Sequence, residues 1–323
     1  MNTTRFIAKR LGECLITLVV LSFIIFSLLF MAPGDPARNL VGTKKATPEL
    51  LSQIRAQYHL DDPFFSQYGR WVNGALRLDF GKSIRVNTDV AEYVAPHAAV
   101  TVQLVGMSLL FSAVFGVLFG IVSAKSKGSK RDGIINTLAL VGTSAPSFAV
   151  GLLLLYVFAF LLGLFPMYGS GSVRHLILPA VTLSLSTGAF IIKITRQAML
   201  AEINSDYTVF MRARAVSPWK ITLSQLKNAS SPVLTSAGLV LASLIGSTIL
   251  VESVFSIPGL GSLLASSVTF HDVPVVQFIA LMLAVFICLA SALVDILVFL
   301  LNPNTRKEPR LAQKEQGSVW REL

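Results

Sequence analysis

Six stretches of the chain are apolar over about 20 residues or more, the length an α-helix needs to cross the hydrocarbon core of a bilayer. They cover residues 11–31, 99–124, 134–162, 176–199, 232–251 and 276–301. The pattern predicts an all-α integral membrane protein with six transmembrane helices. The first run follows Arg5, Lys9 and Arg10, as a signal peptide would. It is longer than a signal-peptide core and no small-x-small cleavage site follows it, so it reads as a retained span.

Between the spans the pattern changes character. Residues 32–98 form an outer segment with helical, amphipathic signals. In "TPELLSQIRAQYHL", Thr47 is a candidate N-cap and Pro48 the first helical residue; Leu50, Leu51, Ile54 and Tyr58 recur at helical spacing. "FFSQYGRWVNGALRLDFG" supplies aromatic residues suited to a membrane surface. Short helices lying on the outer face of the bundle are expected. Pro146, in "TSAPSF", removes a backbone hydrogen bond inside the third run and predicts a kink or break there. Small residues recur every four positions at Gly116 and Gly120, and at Gly238, Ala242 and Gly246. Such spacing lets helices approach closely, within the chain, at a subunit interface or along a pore.

Composition agrees with the pattern: 53% of residues are hydrophobic and 14% charged, against roughly 25% charged in soluble domains. Mean hydropathy is +0.68. The net charge of +10 would suggest nucleic acid in a soluble protein. Placed on the spans it reads as orientation instead. With the N-terminus inside, 18 Lys and Arg fall on inner segments and one, Arg174, in the short outer loops. The eight in segment 32–98 accompany seven acids and do not vote, because long segments translocate largely regardless of charge. Both termini are therefore expected in the cytoplasm, and the expected partner of this surface is the lipid bilayer, not nucleic acid.

Candidate chemistry is sparse. Cys14 and Cys288 sit in apolar runs without any C-x-x-C or Cys/His cluster, so neither a disulfide framework nor a metal site is expected. No P-loop, nucleophile elbow or H-E-x-x-H motif occurs. The chain is therefore read as a non-enzyme with no catalytic residues and no bound cofactor; an energy source would lie on a partner. Asp295 lies about two turns from the inner end of the sixth run and Glu252 at the outer end of the fifth; a structural partner is expected for Asp295. Lys193 and Arg196, near the inner end of the fourth run, are expected to snorkel to the surface.

One inner stretch stands out. "SDYTVFMRARAVSPWK", residues 205–220, carries Arg212, Arg214 and Lys220 between apolar runs. Asn204–Asp206 are cap-forming residues, and Ser217-Pro218 is a second helix-start signal. Ile203, Tyr207, Phe210 and Arg214 fall near one helical face. Helix–turn–helix is expected, with its basic groups toward the cytoplasm.

The same stretch resembles a family motif. The chain is similar to permeases of binding-protein-dependent ABC importers, in the dipeptide/oligopeptide/nickel branch, whose inner loop reads D-Y-x-x-x-x-R-A-x-G-[VL] and later R-N-A. Asp206, Tyr207, Arg212, Ala213 and Val216 match, and Lys227-Asn228-Ala229 stands for the later triplet. "APGDP", "QYGRW", "LDFGKS", "SAPSF", "HLILPA", "VESVFSIPGLG", "HDVPVVQ" and "LVDILVFLLNPNTR" agree in order along nearly the whole chain.

The resemblance implies a type I ABC importer permease fold in a bacterial cytoplasmic membrane, divided into an N-tail and first span (1–31), the outer segment (32–98), a permease core (99–302) with a coupling loop at 202–231, and a tail (303–323). It implies that Asp206, Tyr207, Arg212, Ala213, Arg214, Ala215 and Val216 form an ATPase-coupling loop. Glu252, Pro258, Gly259 and Gly261 become outer-gate or structural candidates, and Pro146 a kink in the span. It also implies partners: a homologous second permease, two cytoplasmic ATPases carrying ATP and Mg, and an extracytoplasmic substrate-binding protein. Ala215 departs from the family glycine. Alanine disfavours φ > 0, so the turn is expected to shift toward Ser217-Pro218.

The substrate stays open between short peptides and nickel or a metal chelate. All four histidines, His59, His97, His175 and His271, fall on the expected outer side, but no pair has metal-ligand spacing. An autonomous secondary carrier or channel is the alternative of another class; an intramembrane enzyme lacks a constellation of nucleophile, base or metal ligands.

Overall fold

In the computed structural model, the described residues are 3–31, 36–41 and 47–301. The tail 303–323 and the first four residues of "APGDP" lie outside them. The elements are α1 (Thr3–Met31), α2 (Pro36–Val41), α3 (Pro48–Tyr58), α4 (Phe64–Leu76), α5 (Val90–Lys125), α6 (Lys130–Ser144) and α7 (Ser147–Leu154), which runs on as a π-helical turn over Leu155–Leu161. They continue as α8 (Val173–Ile203), α9 (Asp206–Ala213), α10 (Pro218–Val254), α11 (Leu260–Thr269) and α12 (Val273–Leu301).

Five helices are long and apolar enough to cross a membrane: α1, α5, α8, α10 and α12. The sixth expected span is the pair α6–α7, bent by 109° at its break. Pro146 occupies the N-cap position of α7, where its missing N–H costs nothing. The sequence predicts a kink at Pro146; the structure turns the chain through more than a right angle. Six spans stand when this broken pair is counted as one.

Capping sets several helix starts. Thr47 Oγ1 accepts the Leu50 N–H at 3.3 Å, as the sequence predicts. Asp89 Oδ1 accepts the N–H of Ala91 at 2.9 Å and of Glu92 at 3.4 Å, starting α5 well ahead of its apolar run. α10 likewise starts at Pro218 and passes unbroken through Pro232, where the apolar run begins.

The central core lies between α5, α8 and α10, around Leu104, Leu183, Ile191, Val240 and Leu244. Glycine permits the close approach of α5 to α8. A Cβ on Gly116 would lie 2.6 Å from Ile191 Cγ2, and one on Gly120 2.6 Å from Thr195 Cβ. The first small-residue pair therefore packs within the chain, while Gly246 meets nothing within 4 Å. In lipid such van der Waals fit, rather than exclusion of water, holds helices together. α1 flanks α12: Phe6 stacks on Phe299 at 4.3 Å, Arg10 Nε lies 3.2 Å from Asp295 Oδ2, and Cys14 Sγ donates to the Cys288 carbonyl. Asp295 thus has its structural partner. The outward faces of α1, α5 and α6 expose Leu15, Ile16, Phe115, Leu118 and Leu138, as a lipid-facing surface would.

Candidate coupling and outer sites

The bundle has two chemically different ends. One, the basic end, gathers the α5–α6 and α8–α10 connections. The other, the aromatic end, gathers α3, α4 and the 255–272 segment.

At the basic end, α9 is a short helix folded back against the foot of the bundle. Ser205 occupies its N-cap, but the hydroxyl turns back to the Glu202 carbonyl at 2.6 Å instead of capping. Thr208, fully buried, donates to the same carbonyl at 2.8 Å and accepts from Gln225 Nε2 at 3.2 Å. Tyr207 donates to Glu202 Oε2 at 2.7 Å, which also receives Asn228 Nδ2 at 3.4 Å. Burial first, and then the Glu202 carboxylate, raise the Tyr207 phenol above its ordinary range. It therefore stays a protonated donor at neutral pH.

The turn after α9 stays at Ala215. That residue has φ 53°, in the left-handed region. Its N–H donates to Arg212 O at 3.0 Å and the Val216 N–H to Met211 O at 3.1 Å. This is the six-to-one and five-to-two pair of a Schellman motif, normally closed by glycine. The sequence expectation of a turn displaced to Ser217-Pro218 is corrected: those residues only start α10. Two carbonyls satisfied at the helix end outweigh a left-handed cost of about 1–2 kcal/mol.

The opposite face of α9 is open. Val209, Phe210, Arg212, Ala213, Arg214 and Ala215 are exposed, Phe210 by 61%. The Arg214 guanidinium lies 5.4 Å over the Phe210 ring. Behind the turn a cavity of about 540 Å3 is lined by Lys125, Lys127, Arg212, Val216 and Gln225 among others. Lys125 Nζ donates to Thr222 Oγ1 across it, tying α5 to α10.

Nearby, Asp132 is buried and grips Arg196 through both oxygens at 2.9 Å. It also accepts Ser123 Oγ at 2.6 Å, Asn136 Nδ2 at 2.6 Å and the Gly128 N–H at 3.0 Å. Arg196 thus reaches the basic end and finds a buried counter-charge there, which locks α8 to α6.

At the aromatic end, Glu252 is fully buried. Its Oε1 accepts Thr101 Oγ1 at 2.6 Å and its Oε2 accepts the Ser262 N–H at 2.9 Å. Thr101 Oγ1 in turn accepts the Leu260 N–H at 2.7 Å. The carboxylate thus sits on the N-terminus of α11, where unpaired N–H groups and the helix dipole favour a negative charge. Glycine is required around it. A Cβ on Gly259 would lie 2.3 Å from the Glu252 carboxyl carbon, and one on Gly261 2.6 Å from Ile249 Cα. Pro258 bridges Gly259 to Ile257, whose N–H returns to Glu252 O at 2.8 Å. The structure therefore brings Glu252, Pro258, Gly259 and Gly261 into one knot.

A second knot was not singled out by residue in the sequence. Asp272 is buried and accepts Ser83 Oγ at 2.5 Å and the Ile84 N–H at 3.1 Å. Trp71 Nε1 donates to Gln277 Oε1 at 3.1 Å, and Phe80 packs edge-on against Phe278 at 4.7 Å. "QYGRW", "LDFGKS" and "HDVPVVQ" are thus three parts of one clasp, which ties α4 and the loop after it to α12. The four histidines do not gather: His59 ends α3, His97 lies on α5 beside Tyr93, His175 pairs with Ser172, and His271 precedes α12. Among the described residues no three His, Cys, Asp or Glu converge on a common point.

Fold and sites together define a multi-pass helical membrane protein, clasped at one end and open-faced at the other. The comparisons are more specific. Residues 116–307 match the family model "Binding-protein-dependent transport system inner membrane component", and residues 3–104 match the model for the N-terminal membrane component of such systems. The glutathione transport system permease protein GsiC of Escherichia coli K12 is 35% identical over 302 residues, covering 93% of this chain and 98% of that protein. The GsiC of Shigella dysenteriae serotype 1 matches at the same identity and coverage. A structure of inward-facing conformations of the MetNI methionine ABC transporter aligns at TM-score 0.53 and 18% identity, covering 65% of this chain and 96% of that one, and shows the fold. The chain belongs to the binding-protein-dependent transport system inner membrane components. It is a permease subunit of an ABC importer of the peptide/nickel type.

Proposed function

We propose that this chain forms half of a translocation path for short peptides and couples it to a separate ATPase through α9 and the turn at Ala213–Val216. The open face of α9 carries the reading. Val209, Phe210 and Arg214 point away from the bundle and exposed Arg212 borders the cavity at its edge, while Tyr207, Thr208 and Gln225 pin the other face. An exposed apolar and cationic face on a helix held from behind suits a docking element, because binding then orders few further groups. In this reading the basic end and both termini lie in the cytoplasm, and two ATPases there carry the ATP and Mg. The path is completed by a homologous second permease. A substrate-binding protein delivers at the aromatic end, where the Glu252–Gly259–Gly261 knot forms the rigid outer gate.

For the substrate, the similar permeases are named for glutathione transport, and glutathione is a small tripeptide. That supports peptide-like cargo for this chain. The test replaces Arg212 with Glu in the full transporter. ATPase co-purification and peptide uptake should each fall at least about tenfold, since a charge reversal in a docking contact costs on the order of 2 kcal/mol or more. Unchanged coupling overturns the docking role. Uptake of nickel with no uptake of labelled peptide overturns the substrate class.

A further inference from the structure

Lys193 does not behave as a snorkelling lysine. It is half-buried on α8, and its Nζ donates to Thr143 Oγ1 of α6 at 2.9 Å. Its neighbour Arg196 reaches Asp132 on the same helix. Thr143 and Asp132 are eleven residues apart, about 16 Å along α6 at 1.5 Å per residue. Two cations less than one turn apart therefore splay in opposite directions. Arg196 goes to the basic end and is neutralised there. Lys193 points away from that end, toward the middle of the bundle. Among the described residues it has no carboxylate partner. A cation without a counter-charge on a membrane-spanning helix is a functional candidate, because such a group is retained where it serves a ligand or a water-filled path.

A cavity lies where it points. Thr143 lines a space of about 320 Å3 between α6, α8 and α10, together with Ser186, Thr187, Phe190, Leu239 and Ser243. Ser186, Phe190 and Lys193 recur at i, i+4 and i+7, so they share one face of α8. The Thr187 hydroxyl is engaged with Ser112 and the Leu183 carbonyl. The Ser186 and Ser243 hydroxyls make no hydrogen bond among the described residues. Thr143 directs its own proton to backbone carbonyls of α6 at 3.0 Å, so its oxygen faces Lys193 as an acceptor. One of the three ammonium protons is thereby used and two are left. The site offers a full positive charge and two free hydroxyls along an open groove whose apolar lining is Phe190, Leu239 and Val240.

We infer that Lys193, held by Thr143, is a carboxylate-binding subsite of the translocation path, and that it favours cargo with a free acid group over the neutral amide of the same cargo. A carboxylate presents acceptors only, which matches donors that lack partners. A lipid phosphate is the other anion in a membrane, but it lies at the interface, and the Lys193 ammonium is directed away from the basic interface. This inference rests on the peptide reading above.

The experiment uses the complete transporter in proteoliposomes, loaded with binding protein. Uptake of a short peptide with a free C-terminal carboxylate is compared with uptake of its C-terminal amide, in wild type and in Lys193→Met, Lys193→Arg and Thr143→Val. Binding of both peptides to the isolated binding protein is measured separately and divided out. Wild type should prefer the acid at least tenfold beyond the binding protein's own preference. Lys193→Met should erase that preference, Lys193→Arg should keep most of it, and Thr143→Val should reduce it. A merely structural lysine would change both peptides together and leave the ratio untouched; that result, in Lys193→Met or, if that variant does not assemble, in Thr143→Val, overturns the inference. If wild type carries neither peptide, the peptide reading falls, and this subsite with it. If wild type carries both and the ratio never moves, only the subsite falls.

Discussion

At the aromatic end, Glu252 and Asp272 receive backbone N–H groups from Ser262 and Ile84, along with the hydroxyls of Thr101 and Ser83. At the basic end, Asp132 receives mainly the side chains of Arg196, Ser123 and Asn136, and Glu202 those of Tyr207 and Asn228. A carboxylate that accepts main-chain N–H groups fixes a loop's path. One that accepts side chains orients two elements yet leaves their outer faces free. The aromatic end consequently closes on itself through bonds within this chain. The basic end is braced from inside and presents Phe210, Arg214 and Trp219 outward, Trp219 by 74%. One chemical group serves enclosure at one end and display at the other.

The comparison breaks first at Glu252. Glu252→Ala leaves the Ser262 N–H and the Thr101 hydroxyl without their acceptor at a fully buried point. Each unsatisfied buried group costs about 1–3 kcal/mol, so a loss of roughly 2–6 kcal/mol is expected. Gly259→Ala should approach it by sterics, because the new methyl group meets a carboxylate pinned on both oxygens. Thermal unfolding of the detergent-solubilised transporter and proteolysis between residues 255 and 272 measure both. If the segment stays protected in both variants, it is not the carboxylate that encloses this end.

At the basic end the matching change should cost less. Asp132→Asn keeps an acceptor and the local size, but leaves Arg196 without its counter-charge. Arg196 is 25% exposed, so water can recover part of the loss. About 1–3 kcal/mol is expected, below the Glu252 effect. Arg196→Met in the same background should restore part of it, since it removes the stranded cation. A double-mutant cycle on thermal stability gives the coupling. A cost equal to that of Glu252→Ala would erase the distinction between the two ends.

Much of this was legible in the sequence, for reasons that differ by element. Span number and the Thr47 cap follow from local periodicity and local hydrogen bonding, which a single chain displays. The Ser217-Pro218 start of α10 was visible for the same reason. The clasp was not. Ser83 and Asp272 are 189 positions apart, and nothing local to "LDFGKS" names its partner. The Asp132–Arg196 bridge is hidden in the same way, because position alone shows that Arg196 can reach the basic end and not which carboxylate meets it. Pro146 announced a break, but the 109° turn depends on what α7 packs against. Lys193 was read by position alone; only its distance to Thr143 shows which way it points.

Ala215 offers the smallest and most local test of how the basic end holds its displayed helix. The left-handed cost of alanine, taken alone, favours a turn displaced toward Ser217-Pro218. The structure keeps the turn and accepts φ 53°, because Ala215 and Val216 close the α9 carbonyls of Arg212 and Met211. Ala215→Gly should then relax a strain of about 1–2 kcal/mol, offset in part by glycine's freedom in the unfolded chain. A net gain of about 0.5–1 kcal/mol corresponds to roughly two- to fivefold slower exchange of the Val216 amide. Hydrogen exchange over residues 206–216 reads it directly, and the Glu252 knot should not respond. If exchange is unchanged, the turn carries no strain at Ala215. α9 is then held by Tyr207, Thr208 and Glu202 alone, and display at the basic end depends on side chains without help from its backbone cap.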